Sequence, residues 1–244
     1  MPSLTCLVIG SCTGKKDDSN CPDELKLSET DFNSAVNLAR AERKSRAWLK
    51  PAGEMYKGPQ HTLMMKEITR LREGLKEASF DVAVVSAGYG LISERQLIAP
   101  YDITFKNKGL RYARARGRFL QIPTKTRELV AKYEIVFFLL GKEYLASLGG
   151  PPEPARGQKF VYFGTAAERF RSPHSNMITL PAAQPEATRY KGAGVTGIKG
   201  QMFDLLSQGI TTHPIRLKSL VSDRTSTTIL GLINGASKFA VAER

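Results

Sequence analysis

The sequence predicts an α/β fold with a mostly parallel central sheet, flanked by helices, and a helical C-terminal part. Three observations predict this fold class. Short, continuous apolar runs have the length and composition of buried strands. Segments with the apolar spacing of helices separate these runs, as in βαβ units. The part of the chain from Gly192 onward has mainly helical spacing.

The individual elements follow from the same patterns. An apolar run such as residues 135–140 suits the middle of a sheet, because both faces of a parallel sheet are covered. The predicted strands are residues 4–9, 81–86, 135–140, 159–163 and 177–180. The predicted helices are residues 31–49, 60–80, 124–133, 198–210 and 225–238, with a short helix over 141–148.

One domain is expected over residues 1–244, since a chain of this length can bury one large core. Residues 149–154, Gly-Gly-Pro-Pro-Glu-Pro, suit neither a helix nor a central strand, because proline lacks an amide donor and glycine lacks stiffness. We therefore expect a flexible loop over 149–157. The strand pattern continues after it, so it does not divide the chain into domains. Residues 192–244 are predicted to form the helical C-terminal region.

The chain is strongly basic. Its formal net charge is +13, from 36 Lys and Arg against 23 Asp and Glu. This balance favours a polyanionic partner, and clustered cations favour nucleic-acid phosphates through counterion release. The strongest local excess lies in residues 106–127, which contain no acidic residue. A solvated charged face is the alternative. The DNA-binding candidates in this run are Lys106, Lys108, Arg111, Arg114, Arg116 and Arg118.

The cysteine and apolar content excludes a zinc-binding protein and a protein that spans a membrane as a helix. The three cysteines, Cys6, Cys12 and Cys21, form no zinc-binding pattern with each other or with the scattered histidines. No stretch is apolar for the roughly 18 residues that a membrane helix needs, and no signal-like start occurs. The sequence predicts a soluble, cytoplasmic protein without a structural metal or a membrane partner. It does not determine the oligomeric state.

Four short polar motifs form the candidate site. They are residues 11–16 (Ser-Cys-Thr-Gly-Lys-Lys), 55–59 (Met-Tyr-Lys-Gly-Pro), 86–91 (Ser-Ala-Gly-Tyr-Gly-Leu) and 100–102 (Pro-Tyr-Asp). The first motif follows the first predicted strand closely, and the third begins where the second strand ends. Ligands of open α/β sheets bind beyond the carboxyl ends of the strands, so we expect these motifs to meet over one pocket.

Each motif contributes a different chemical group. Small residues with Lys15 and Lys16 are typical of a phosphate-handling loop, although the Walker A spacing is absent. Cys12 is predicted to be a pocket wall rather than a nucleophile, because no base is placed beside it. Glycines on both sides of Tyr89 let the backbone turn and expose the ring, which can stack on a base.

Tyr56 and Tyr101 are predicted to offer a second stacking face. The alternative for each tyrosine is a core aromatic ring with a satisfied hydroxyl group. Asp102 is the carboxylate of this cluster, with a turn cap as its alternative role.

A glycine-rich turn precedes the predicted helix at 198–210. Residues 192–197 match the dinucleotide-binding pattern Gly-x-Gly-x-x-Gly, but no acidic residue follows at the distance that a ribose contact requires. The backbone amides around Gly197, with Lys199 and Gln201, are instead predicted to bind a nucleic-acid phosphate. A tight turn that serves packing is the alternative.

The four motifs resemble one bacterial family that is distantly similar to the peroxide-stress protein YaaA and to proteins that process 7-deazaguanine bases in DNA. The resemblance covers roughly the first 110 residues and the helix entry at 197–201. The whole chain also resembles an anti-phage DNA glycosylase, of a kind that removes bases such as glucosylated hydroxymethylcytosine from phage DNA. The Gly-Gln-Asp-Pro-Tyr motif of uracil-DNA glycosylases is absent, and no helix-hairpin-helix is evident.

The resemblance implies an enzyme that excises a flipped base from DNA without a metal or organic cofactor. Asp102 would stabilise the positive charge that develops on the sugar, and Lys16, or Lys15 or Lys57, would donate a proton to the departing base. Lys15 and Lys57 are also DNA-binding candidates. Two alternatives are conversion of a 7-deazaguanine base through Cys12 and DNA binding without catalysis, and an RNA target stays open. The base-binding candidates are Ser11, Cys12, Tyr56, Ser86, Tyr89 and Tyr101.

Overall fold

The computed structural model describes residues 4–18, 20–164, 175–190, 194–223 and 225–242. The strands in these residues are β1 (Leu4–Ser11), β2 (Lys50–Pro51), β3 (Ala78–Ser86), β4 (Gly90–Ser93), β5 (Leu97–Ile98), β6 (Ile135–Leu139), β7 (Lys159–Phe163) and β8 (Met177–Leu180). The α-helices are α1 (Ala35–Lys44), α2 (Ala52–Met55), α3 (Pro59–Gly74), α4 (Gly109–Phe119), α5 (Ile122–Val130), α6 (Lys142–Ser147), α7 (Gln184–Arg189), α8 (Gly194–Thr212), α9 (Ile215–Ser222) and α10 (Thr227–Ala242).

The main sheet has the strand order β4-β3-β1-β6-β7-β8. Strand β1 is parallel to both neighbours, so Val8 lies opposite Val82 on one side and Phe137 on the other. Strands β7 and β8 continue the parallel set, and β4 runs antiparallel to β3 at the edge. Strands β2 and β5 form a separate antiparallel pair. The predicted α/β class, with a mostly parallel sheet and a helical C-terminal part, is confirmed.

Side chains from both faces of the sheet are buried. Gly10 and Phe137 lie on the same face, because Val8 is opposite Phe137 and Gly10 is two residues further along β1. On this face the Phe137 ring centroid lies 5.8 Å from that of Phe203 in α8. A Cβ on Gly10 would lie 2.9 Å from the sulfur of Met64 in α3, so the close approach of α3 requires glycine there. On the opposite face, the Phe138 ring stacks on Tyr162 with centroids 4.3 Å apart.

Several predicted boundaries are wrong. The helix predicted over 60–80 ends at Gly74, because residues 78–80 belong to β3, where Ala78 lies opposite Leu4. The helix predicted over 31–49 is reduced to α1, between the 3-10 turns Glu29–Asn33 and Arg46–Trp48. The basic run, for which no element was predicted before residue 124, contains α4 and the start of α5. Also missed were α2, α7, α9, β2, β4 and β5.

The irregular segment after α6 agrees with the predicted loop at 149–157. It has no helix or strand, and the Pro152 carbonyl accepts a hydrogen bond of 2.9 Å from the Tyr162 hydroxyl group. Helix α8 begins at Gly194, and the first two residues of the glycine-rich motif, Gly192 and Ala193, lie outside the described residues. In the described ranges, no helix has the length and apolar character needed to cross a bilayer.

Candidate active site

The strand order predicts the position of a ligand crevice beside β1. The chain leaves β1 and returns as β3 on one side, and later passes to β6 on the other side. The five parallel strands therefore have the order 2-1-3-4-5 when they are numbered among themselves, and a ligand crevice forms where the connections diverge. The loop that starts at Cys12, after β1, and the loop around Gly141, after β6, border this crevice.

A chain of hydroxyl groups lies beneath this edge of the sheet. The Tyr56 and Tyr101 hydroxyl oxygens are 2.8 Å apart, and the Tyr101 and Ser86 hydroxyl oxygens are 2.7 Å apart. The Ser86 oxygen also accepts hydrogen bonds from the backbone amides of Gly88 and Tyr89. Burial raises the pKa of Tyr56 and of Tyr101 well above its usual value, so both hydroxyl groups stay protonated. The second, third and fourth motifs are therefore joined by direct contacts.

The predicted second stacking face, formed by Tyr56 and Tyr101, is wrong for this conformation because both rings are buried. Tyr56 and Tyr101 are each only 1% exposed, so neither presents a free face to a base in this conformation. Tyr89 is half-buried, its ring packs edge-on against Phe32 at 4.9 Å, and its hydroxyl oxygen accepts a hydrogen bond from the Ala99 amide. Tyr56 and Tyr101 therefore fit the alternative, a core aromatic ring whose hydroxyl group is hydrogen-bonded. Tyr89 keeps a partly exposed surface.

Lys16 occupies the centre of the candidate site. Its backbone forms an antiparallel bridge with Tyr56, and its Nζ lies 4.4 Å from the centroid of the Tyr101 ring. The residue is 8% exposed. Burial lowers the pKa of Lys16, while the nearby carboxylates of Asp102 and Asp18 act in the opposite direction. A cation over an aromatic face is favourable, and the buried position makes loss of its proton easier than for a surface lysine.

The neighbouring lysines are exposed. Lys15 accepts a backbone hydrogen bond from the Lys57 amide at 2.9 Å, which ties the first motif to the second. The Lys57 Nζ lies 3.6 Å from an oxygen of Asp17. The Thr13 hydroxyl group accepts from the Gly58 amide and donates to the Lys15 carbonyl, so the loop after β1 is held in one shape.

Asp102 has an exposed side chain on a fixed backbone. Its amide donates to the Leu27 carbonyl at 3.2 Å, and the Leu27 amide donates to the Pro100 carbonyl at 2.8 Å. Among the described residues, the Asp102 carboxylate has no hydrogen bond or salt bridge to another group, so a turn-capping role finds no contact here. The carboxylate lies close enough to Lys16 to influence its pKa.

Cys12 is buried against Tyr144 at the start of the loop after β1. The residue is 2% exposed, and its sulfur lies 3.3 Å from the hydroxyl oxygen of Tyr144. The Tyr144 hydroxyl group donates to the Cys12 carbonyl at 2.9 Å and lies 3.4 Å from the Thr104 hydroxyl oxygen. Ser11, at the end of β1, is half-buried. Tyr144 was missed, although its place just after β6 meets the same strand-end rule that found the motifs.

The basic candidates of residues 106–118 divide into two groups. Arg116 is 7% exposed and donates from Nε to the Ala87 carbonyl at 3.0 Å, so it holds the loop after β3 rather than facing solvent. The other candidates are exposed, and residues 111, 114 and 118 lie on one side of α4 because they are three or four positions apart. We call these three residues, with the two lysines before the helix, the α4 basic surface: Lys106, Lys108, Arg111, Arg114 and Arg118.

The predicted phosphate turn near α8 has a different geometry. Gly197 is buried inside the helix, and Gln201 donates to the Asp204 carboxylate at 3.1 Å. The burial of Gly197 and the hydrogen bond of Gln201 indicate a role in packing, although both residues lie in a helix rather than in the tight turn of the alternative prediction. Lys199 is half-buried, with its Cε 3.2 Å from the point where a Cβ on Gly164 would lie, and burial lowers its pKa. Lys199 therefore lies near the carboxyl end of β7, along the same edge of the sheet as β1 and β6.

Within the described ranges, no group of three or more His, Cys, Asp or Glu side chains is arranged to hold a metal ion. No protein-family model matches the chain, and a search of curated proteins finds no match either. The site is therefore interpreted from its own geometry and chemistry.

Proposed function

We propose that this protein is a DNA glycosylase that removes a modified base, with glucosylated hydroxymethylcytosine in phage DNA as the substrate to test first. The observation that supports this best is an exposed carboxylate, Asp102, close enough to the buried amine of Lys16 to act on its pKa, beside the carboxyl end of β1. A carboxylate stabilises the positive charge that develops on the sugar when an N-glycosidic bond breaks, and an ammonium group can donate a proton to the departing base.

The α4 basic surface supports a DNA substrate. It begins four residues after Asp102 and continues to Arg118, so a cationic surface follows the catalytic segment directly along the chain. Exposed arginines on one side of a helix suit backbone phosphates, which position a duplex without reading its sequence. The target nucleotide would then leave the base stack and enter the crevice, at a cost of a few kcal/mol.

Asp102 and Lys16 have complementary roles in the proposed reaction. As the bond between C1′ and the base nitrogen breaks, its electron pair leaves with the base and positive charge develops on the sugar. The Asp102 carboxylate stabilises this charge and orients a water molecule toward C1′. The Lys16 ammonium group donates its proton to the departing base, and the lowered pKa of Lys16 favours this transfer. The Tyr101 ring, which is fixed by its hydroxyl contacts to Tyr56 and Ser86, lies against the Lys16 amine and holds it in place.

The geometry gives less support to conversion of a 7-deazaguanine base through Cys12. A nucleophilic thiol needs a base that takes its proton, and the Cys12 sulfur contacts the hydroxyl group of Tyr144 instead. Retained activity of a Cys12→Ser variant would agree with the glycosylase proposal.

The test is release of bases from glucosylated phage DNA and from unmodified DNA, followed by mass analysis of the released material. Asp102→Asn should slow release by roughly 100-fold or more, because it removes one preorganised charge from the transition state. The dissociation constant for the same DNA should stay unchanged or decrease. Asp23→Asn is the matched control, since Asp23 is an exposed aspartate in a 3-10 turn outside the site.

Two results would contradict the proposal. Tight DNA binding without release of any base would indicate a binding protein. Loss of DNA binding in Asp102→Asn, with release per bound complex intact, would show that Asp102 binds DNA and takes no part in catalysis.

A further inference from the structure

We propose that base removal is followed by cleavage of the DNA strand, with the Lys16 amine forming an imine to C1′ of the abasic sugar. This inference rests on the proposed glycosylase function and adds a second activity, that of an abasic-site lyase. It assigns Lys16 a covalent role after its role as a proton donor.

The position of Lys16 separates it from the other lysines around the crevice. Lys15 is exposed, and Lys57 is exposed and lies within 3.6 Å of Asp17. Lys16 is more than nine-tenths buried and has no salt bridge to any described residue. Its backbone is held by the bridge to Tyr56, and its Nζ is held by the contact with the Tyr101 ring.

These surroundings suit an amine that attacks a carbonyl group. A lysine becomes nucleophilic when burial makes its neutral form accessible near neutral pH. Burial lowers the pKa of Lys16, and transfer of its proton to the departing base would leave the amine neutral when the abasic site has just formed. The ring-opened abasic sugar carries an aldehyde at C1′, so the nucleophile and the electrophile would occupy the same crevice.

The proposed step balances without an oxidant or a reductant. The Lys16 nitrogen forms a bond to C1′, and the aldehyde oxygen leaves as water, giving an imine that is protonated by solvent. Asp102 then accepts a proton from C2′, and the bond between C3′ and its oxygen breaks, with the electron pair leaving on the phosphate. Water finally hydrolyses the remaining imine, which regenerates the amine and releases an unsaturated aldehyde at the cleaved end.

The experiment uses the full chain and a duplex oligonucleotide with a single preformed abasic site, so it does not depend on which base is excised. Sodium borohydride reduces an imine to a stable secondary amine and would link the protein to the DNA. We expect a linked product with the wild-type protein, and peptide mass analysis should locate the link at Lys16. Strand cleavage without borohydride should give the unsaturated end.

Lys16→Arg keeps a positive charge over the Tyr101 ring but forms no stable imine, so linking should fall at least tenfold. The control is Lys132→Met, which removes an exposed lysine just before β6, at the opposite edge of the sheet, and should link normally. Circular dichroism and DNA affinity identify any variant that fails to fold. If Lys16→Arg is misfolded, the mass-mapped link in the wild-type protein decides the assignment.

The outcomes separate this inference from the proposed function. Release of a modified base without linking or strand cleavage would overturn the lyase step and leave the glycosylase proposal intact. A link that maps to another lysine, or that persists in folded Lys16→Arg, would overturn the assignment to Lys16. Linking at Lys16 without base release from glucosylated DNA would support the lyase step and count against that substrate.

Discussion

Replacing Glu67 with glutamine should change how the stability of the protein depends on pH. Glu67 lies on α3, is fully buried, and faces Asp204 of α8. Arg70 Nη1 lies 2.9 Å from one Glu67 oxygen and 3.8 Å from an oxygen of Asp204. Burial is the main cause that raises the pKa of Glu67 to about 7, and the neighbouring Asp204 adds to it against the opposing charges of Arg70 and Lys66.

The sign and size of the effect follow from the two protonation states. A carboxyl group whose pKa is raised in the folded protein stabilises the fold fully below its unfolded value of 4.5. This contribution is lost as pH rises toward 7, because ionising the buried group then costs free energy. The difference between 4.5 and about 7 corresponds to about 3 kcal/mol between the two ends of this range.

Glutamine has nearly the shape of the protonated side chain and does not ionise. Glu67→Gln should therefore match the wild type near pH 4.5 and be more stable by about 3 kcal/mol near pH 8. For a chain of this size the corresponding rise in Tm is roughly 6–12 °C. The assay is urea unfolding followed by circular dichroism at several pH values. Glu73→Gln, which removes an exposed carboxylate from the same helix, is the control.

A constant difference in unfolding free energy between Glu67→Gln and the wild type across this pH range would refute the reasoning. It would mean that Glu67 has the same proton affinity in the folded and unfolded states. The free-energy cost of ionising the buried carboxyl group would then be fully offset by the positive charges of Arg70 and Lys66.

Two further predictions concern α4. Gly117→Ala would place a Cβ 2.1 Å from the Ser147 carbonyl oxygen of α6, so it should lower the unfolding free energy by roughly 1–3 kcal/mol, although alanine normally favours a helix. Gly231→Ala in α10, where a Cβ would meet no described atom within 4 Å beyond the adjacent backbone of its own helix, should raise it by up to about 1 kcal/mol. Equal effects of the two substitutions in urea unfolding would contradict this prediction. Replacing the arginines of the α4 basic surface with alanine should weaken DNA binding and reduce the slope of log affinity against log salt by about 2.7, at roughly 0.9 per phosphate contact. The arginines to be replaced are Arg111, Arg114 and Arg118. Titrations by fluorescence anisotropy at several salt concentrations measure the slope, and an unchanged slope would exclude this surface from DNA contact.

The positions of the motifs could be predicted from the sequence because they depend on strand ends. Buried parallel strands are continuous apolar runs, and the boundaries of β7 and β8 agree with those predicted from such runs. Once two strands are located, their carboxyl ends lie at one edge of the sheet, which brings Lys16 and Ser86 into the same region. Locating a motif from the end of its strand requires no knowledge of which side chains are in contact.

Which side chains are exposed could not be predicted, because exposure depends on segments far apart in the chain. Phe32, from a 3-10 turn, covers the rings of Tyr89 and Tyr101. Arg116 appears in the sequence as one more cation in a basic run, yet it reaches back to Ala87 because α4 packs over that loop. The Glu67 position had a local signal, since it lies between Met64 and Ile68 on the apolar side of α3.

The backbone that carries Asp102 explains why its substitution tests chemistry more than folding. The segment around Tyr101 is paired with Leu27 through two backbone hydrogen bonds, on the amides of Leu27 and Asp102. Tyr101 is anchored separately by its hydroxyl contacts to Tyr56 and Ser86. The Asp102 side chain contributes to none of these contacts, so asparagine should leave the segment in place. A loss of base release in Asp102→Asn, with unchanged unfolding free energy, would therefore report on the carboxylate itself.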